Sequence, residues 1–328
     1  MSSKPPHLPM DKSPSGRICA VTCYFNPGGF ISQRRNMELF SARLRQARIP
    51  LVTVECAFGE RPFELLEHHD VFHVRTTDVL WLKEHLLNFA IDRIPDCYDN
   101  IAWLDCDVLF SNDTWAADAE AALREAQVVQ LFEVAIRLPP GAVAFHGIGD
   151  QLSGVAAVCS AYPTRIWGDR TQHGHTGFAW AARRDFLRSV RLYEGCVIGG
   201  ADHLMAHAFF GHWRSECVRH VLGSGAMFDH YQKWAEGAFG ATQGRVGVVP
   251  GKVLHLWHGD PTNRRYLRRE KELQSLAFDP LTDVDWSKSP PCWASHRRDL
   301  ADWAKAYFSS RKEDSLVPDP ASTTRFHY

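Results

Sequence analysis

No apolar run in the 328 residues approaches the ~20 that a membrane helix needs. The opening MSSKPPHLPMDKSPSG also lacks the apolar stretch of a secretory signal, so a cytoplasmic protein is expected. An excess of one charge is missing as well: 37 Lys+Arg against 38 Asp+Glu leave a formal net charge of −1. No long-range field gathers phosphate backbones, and non-specific nucleic-acid binding is not indicated. The nine cysteines are odd in number, scattered from Cys19 to Cys292, and contain no C-x-x-C pair. Reduced core thiols fit that pattern better than disulfides or a zinc knuckle.

Two further absences exclude enzyme classes. The turn after the first apolar run reads NPGGF and has no G-x-G-x-x-G, which removes a dinucleotide-dependent oxidoreductase. His203 and His207 have the two-ligand spacing of a zincin, but Leu204 stands where H-E-x-x-H needs its glutamate, so a metallohydrolase lacks its general base. No internal repeat is visible.

What is present suits a packed core: 45% of residues are hydrophobic and 23% charged, close to the globular average. Residues 1–16, with four prolines, and residues 311–328 have no apolar period and are expected to be disordered tails. Between them, strand signals at 18–24, 51–55, 71–74, 101–104 and 128–132 alternate with helical patterns. In the first helix Met37, Phe40, Leu44 and Ala47 recur at helical spacing. In the second, Asp78 is a natural N-cap and Val79, Leu82, Leu86, Ala90 and Ile94 share a face. Residues 112–114 are expected to cap a third helix running to Ala126. This alternation predicts an α/β fold, a mostly parallel sheet with helices on both faces. The second half is less regular: 174–182 and 252–257 read as strands and 202–210 as a helix, while 137–170 has little period.

Asp105 and Asp107 close the apolar stretch IAWL-D-C-D, which places two carboxylates at the carboxyl edge of a parallel sheet, where open α/β folds bind ligands. Such a pair holds a divalent ion, and the ion neutralises a diphosphate. A second D-x-D, Asp283 and Asp285, ends no core strand. His255, after the strand KVLH, is a natural third ligand beside Asp107, with His258 as second choice. Asp202 follows the pair Gly199-Gly200 and suits either a general base or a helix N-cap. At the end of the first strand, Thr22, Tyr24 and Asn26 are candidate base and ribose contacts. Arg34 and Lys83 are candidate phosphate contacts. In NRRYLRREK, Arg264, Arg265, Arg268 and Arg269 are expected on one helical face, either covering a diphosphate or forming a solvated surface.

The order of these elements resembles the GT-A glycosyltransferases. TGFAWAARRDFL, which contains Trp180, and GGADHLM look like the acceptor-half motifs of the β-1,4-galactosyltransferase-like branch. The resemblance implies a GT-A domain over 17–275, with a nucleotide-sugar half at 17–135 and an acceptor half at 136–275 carrying a smaller antiparallel sheet. A C-terminal helical extension would occupy 276–310. It implies Mn²⁺ or Mg²⁺ on Asp105, Asp107 and His255, Asp202 as the base of an inverting transfer, and Asp105, Trp180 and Arg264 among the donor contacts. The partners implied are a nucleoside-diphosphate sugar, most simply a UDP-sugar, and a hydroxyl acceptor: a glycan, a small molecule or a modified nucleic-acid base. The sequence departs from that branch at Ala201, where a glutamate is expected, and lacks the Trp expected before the Gly pair. Two other readings share the fold: a nucleotidyltransferase making a sugar nucleotide, for which residues 26–35 only partly match a basic Gly-rich loop, and a non-catalytic nucleotide- or sugar-binding protein.

Overall fold

The computed structural model describes residues 18–169 and 171–315. The tail expected over 1–16, and the part of the second tail beyond 315, lie outside the described residues. The first half runs β1 (Ile18–Phe25), α1 (Ile31–Gln46), β2 (Leu51–Phe58), β3 (Val71–Thr76), α2 (Lys83–Ile91), β4 (Asn100–Leu104), β5 (Val108–Phe110), α3 (Trp115–Ala122) and β6 (Val128–Gln130). Then come β7 (Val134–Arg137), β8 (Asp150–Ser153), α4 (Val155–Ala161), β9 (Ala179–Arg183), α5 (Arg184–Val190), α6 (Ala201–Phe209), α7 (Glu216–Leu222) and α8 (Ala226–Thr242). β10 (Val246–Val248), β11 (Lys252–His255), α9 (Tyr266–Ser275), a ribbon of Val284–Asp285 with Cys292–Trp293, and α10 (Arg298–Ser309) complete the chain.

Seven strands form one sheet in the order β10-β6-β9-β4-β1-β2-β3. Neighbours pair in parallel except at β9, which runs antiparallel to both β4 and β6. A smaller sheet has the order β5-β11-β7-β8, with β11 antiparallel to β5 and parallel to β7, and β7 antiparallel to β8.

The period of two in β1 fixes which helices cover which face. Cys19, Val21 and Cys23 enter a core with Leu86, Leu87 and Ala90 of α2 and with the buried residues of α6 and α8. Ile18, Ala20 and Tyr24 enter the opposite core with Met37, Phe40 and Leu44 of α1 and Trp115 of α3. The α1 stripe is the one its spacing predicts, except that Ala47 is the exposed C-cap. Each of its three large side chains contributes about 1.5–3 kcal/mol by leaving water. The mostly parallel sheet with helices on both faces is therefore present. Among the described residues no helix is long and apolar enough to cross a membrane.

Four local expectations are corrected. Asp78 does not cap α2: its carboxylate accepts from the Trp293 amide at 2.8 Å. The Trp81 amide is meanwhile drawn to the Val197 carbonyl, so the helix begins only at Lys83. The strand expected over 174–182 is confined to β9, because Phe178 sits at φ 81° and breaks the extended run. α3 ends at Ala122 and not at Ala126. Residues 311–315 are packed against the fold: Glu313 is 1% exposed, and the Asp314 carboxylate accepts from the amides of Ile31 and Ser32 at 2.9 and 2.8 Å, capping α1 from a distant part of the chain.

Candidate functional site

The D-x-D is the crossing between the two sheets. β4 ends at Leu104; Asp105, Cys106 and Asp107 follow, and the chain enters β5 in the smaller sheet. The Asp105 amide donates to the Phe178 carbonyl at 2.8 Å, and the Asp107 carbonyl accepts from the Leu256 amide at 2.8 Å. Antiparallel pairing sets His255 opposite Val108, which brings its ring beside Asp107.

Asp107 Oδ2 lies 3.1 Å from His258 Nε2 and 3.6 Å from His255 Nε2, and the two ring nitrogens are 3.0 Å apart. An octahedral ion with bonds of about 2.1 Å has ligand edges of about 3.0 Å, so this triangle fits one face of a divalent ion's shell. Asp107 Oδ1 is buried without a hydrogen-bond partner, an acceptor of the kind a cation satisfies. Burial opposes ionisation of Asp107, yet His255 and His258 hold its carboxyl well below the usual carboxylate range. Burial pushes the His255 imidazole down to about 4, leaving it neutral and able to ligate at pH 7.

Asp105 stands apart from this trio. Lys83 Nζ, in the first turn of α2, lies 2.6 Å from Asp105 Oδ1 and 2.8 Å from Asp202 Oδ2. Burial disfavours the ammonium, but the two carboxylates outweigh it and hold Lys83 well above its usual range. Asp202 owes its place to Gly199 and Gly200, whose φ of 91° and 99° suit only glycine and turn the chain into α6, with Asp202 in the positive first turn. Asp202 Oδ1 is buried and has no hydrogen-bond partner.

Glu84, next to Lys83, is also buried. Burial above all pushes its carboxyl from 4.5 up to about 8, with Lys83 opposing and Asp202 adding to the rise. A carboxyl raised on folding supports stability at pH below 4.5 and loses that support as pH climbs through about 8. Glu84→Gln, a neutral replacement of the same shape, is expected to remove this decline. Thermal melts from pH 5 to 9 should show wild type falling away from the variant by a few degrees between pH 5 and about 8 and running parallel to it above that, and curves parallel throughout would exclude a buried proton there.

The cleft over these groups encloses about 610 Å³ and is lined in part by Tyr24, Trp81, Lys83, Asp107, Asp202 and Arg264. The wall that Phe308 and Arg311 give it, backed by Glu313, was not legible in the sequence. Glu313 receives Arg311 at 2.5 Å and His258 at 3.4 Å, with Gln33 also donating to it. The backbone of Glu313 lies so close over Gly259 (φ 94°) that a Cβ there would stand 2.7 Å from it. Trp81 stacks on Phe308 with ring centroids 6.4 Å apart, and the Arg311 guanidinium lies 5.6 Å from the Trp81 ring centre.

Several expected donor contacts lie elsewhere. Thr22 is fully buried and its hydroxyl donates to the Leu104 carbonyl at 2.8 Å, stitching β1 to β4. Asn26 is spent on its own turn, bonding the amide and carbonyl of Phe30 at 2.8 and 2.9 Å. Arg34 faces solvent and pairs with Glu38 at 3.0 Å, one helical turn on. Trp180 is a core residue, stacked on Trp103, with its indole donating to the Thr176 carbonyl. Tyr24 reaches the cleft, with its hydroxyl on Glu64. The arginine face is split: Arg265 adopts φ 45° between a short 3-10 turn ending at Arg264 and α9, so Arg264 turns to His258 at 2.6 Å while Arg268 pairs outside with Glu272.

In outline the chain is similar to GT-A nucleotide-diphospho-sugar transferases. A Drosophila β1,4-galactosyltransferase 7 mutant in complex with manganese, UDP-Gal and xylobiose is 11% identical, at a TM-score of 0.33 over 72% of this chain and 65% of that one. Glucosyl-3-phosphoglycerate synthase from Mycobacterium tuberculosis in complex with UDP is 12% identical, at a TM-score of 0.39 over 83% and 85%. 4-Diphosphocytidyl-2C-methyl-D-erythritol synthase from Anaerococcus prevotii is 9% identical, at 0.33 over 72% and 90%. This chain thus spans just under two thirds of the galactosyltransferase's length. No protein-family model matches the chain, and no curated protein matches it in sequence. Likenesses this distant carry no argument about chemistry, which is read from the side chains.

Proposed function

We propose that this chain is a metal-dependent glycosyltransferase, moving a sugar from a nucleoside diphosphate to an acceptor hydroxyl. The observation that carries the reading is the triangle of Asp107, His255 and His258 at the carboxyl edge of the sheet, with an orphaned Asp107 oxygen. These three residues would hold Mn²⁺ or Mg²⁺, which when bound supplies positive charge to a leaving diphosphate without a proton. Arg264 and Arg311 on the adjoining wall add fixed cationic charge for the same group. Trp81 offers a flat face, and Tyr24 and Phe25 line the end of β1, where a nucleoside would lie.

Lys83 grips one oxygen of Asp202 and one of Asp105, which fixes both carboxylates relative to each other. Asp202 Oδ1 is then the atom assigned to take the acceptor proton. The acceptor oxygen bonds to the anomeric carbon as the bond from that carbon to the diphosphate oxygen breaks, the leaving group keeping the electron pair. One carboxylate base opposite the leaving group suits an inverting outcome.

The test is a panel of UDP- and GDP-sugars with Mn²⁺, read by calorimetry and by slow donor hydrolysis. One donor should bind and hydrolyse, and chelator should stop both. If no donor binds or turns over with Mn²⁺, or with Mg²⁺ in its place, the reading is wrong.

A further inference from the structure

A second cluster of metal-ligating side chains adjoins the cleft, and His173 and His203 belong to the cleft lining. His203 and His207 stand one turn apart on α6, Cys217 is in the first turn of α7, and His173 comes from the irregular segment before β9. All four are buried, and one ligand atom from each lies within 4.8 Å of the others. Cys217 Sγ is 3.2 Å from His203 Nε2 and 3.7 Å from His173 Nε2. Zinc bonds of about 2.3 Å to sulfur and about 2.0–2.1 Å to nitrogen give tetrahedral edges of about 3.3–3.6 Å, so the gathered atoms already have nearly the separations that such an ion imposes.

We propose that His173, His203, His207 and Cys217 hold a structural zinc ion, distinct from the centre at Asp107. The donor set differs in kind from that centre: one sulfur, three imidazoles and no carboxylate suit zinc over magnesium or manganese. Four protein ligands leave no open position, which makes the site structural and not catalytic. A surrounding layer orients the rings independently of the cluster. His173 Nδ1 is 2.9 Å from the Gly174 carbonyl, which fixes the proton there and turns Nε2 inward, and His207 Nδ1 is 3.1 Å from Ser215 Oγ. Ser215 also caps α7, accepting from the Val218 amide at 3.3 Å, so the same hydroxyl serves the helix end and the histidine.

An ion here cross-links three segments that share no sheet: α6, α7 and the stretch from 171 to 178. That stretch carries Gly177, where an added Cβ would lie 3.5 Å from Asp202 Oδ2. The cross-link therefore sets the backbone beside Asp202 without touching a substrate. Neither the cysteine spacing nor the H-x-x-x-H pair discloses it, because the ligands are brought together from 45 residues of chain by three different elements.

The test uses the full chain, purified without a metal-affinity step and dialysed against a weak chelator. Metal analysis should return one zinc per chain, and a cobalt-loaded sample should show a thiolate-to-cobalt charge-transfer band with the intense visible bands of a tetrahedral site. Cys217→Ser should lose the charge-transfer band and most of the zinc, whereas His255→Ala should keep both. If Cys217→Ser does not fold, wild type decides the matter: stripping with a strong chelator should lower Tm, and stoichiometric zinc should restore it where magnesium does not. A wild-type protein that takes up no zinc on reconstitution, or a zinc that departs with His255 and stays without Cys217, overturns the proposal.

Discussion

Asp107→Ala is expected to abolish metal-dependent donor turnover, a loss on the order of 10³-fold, because an ion at a leaving diphosphate supplies several kcal/mol of charge stabilisation. Asp107 is the only carboxylate in its ligand triangle, and both histidines lean on its Oδ2. Calorimetry should show the same loss: the variant should no longer bind nucleoside diphosphate more tightly with Mn²⁺ than without. Asp285→Ala provides the control, since Asp285 belongs to the other D-x-D and its carboxylate accepts from the amide and hydroxyl of Ser287 in its own turn. Turnover in Asp107→Ala within twofold of wild type would remove the ion from the reaction.

Lys83→Met is expected to destabilise the fold strongly. The ammonium is 8% exposed and is shared by Asp105 and Asp202. Removing one partner of a buried ion pair leaves uncompensated charge and costs about 3–5 kcal/mol, which for a chain of this size lowers Tm on the order of 10 °C. Adding Asp202→Asn to Lys83→Met removes one of the stranded charges and should recover part of the loss. If Lys83→Met melts within a degree of wild type, the three groups are not coupled and the fixed spacing of Asp105 and Asp202 needs another cause.

The sequence disclosed those residues whose position follows from a period or a strand end. Asp105 and Asp107 were legible because four apolar residues precede two carboxylates, and His255 because it closes a second apolar strand. Lys83 was legible as a group near the cleft, though its pairing with Asp105 and Asp202 was not. Trp180 illustrates what a strand end leaves open: along β9 the alanines at 179 and 181 enter one core and Trp180 and Ala182 the other, and only pairing with β4 and β6 decides that both faces are covered. Glu313 carried no local signal at all. RKEDS has no apolar period, and its burial depends on Arg311, two residues away, and on His258 and Arg264 from the distant segment after β11.

The antiparallel strand in the middle of the sheet bears on how the chain comes off the ribosome. β4 is finished roughly 80 residues before β9, its neighbour on the β6 side, and at about 5–20 residues per second that interval is several seconds. Throughout it β1 to β4 can pair as a four-stranded layer whose β4 edge is bare in addition to the β3 edge that the complete sheet keeps, a template on which other nascent chains can add. The loop that delivers Phe178 to the Asp105 amide closes in the same event. A nascent chain stalled before β9 emerges should therefore be both the most aggregation-prone species in the life of this protein and one in which Asp105 has not yet been set in place.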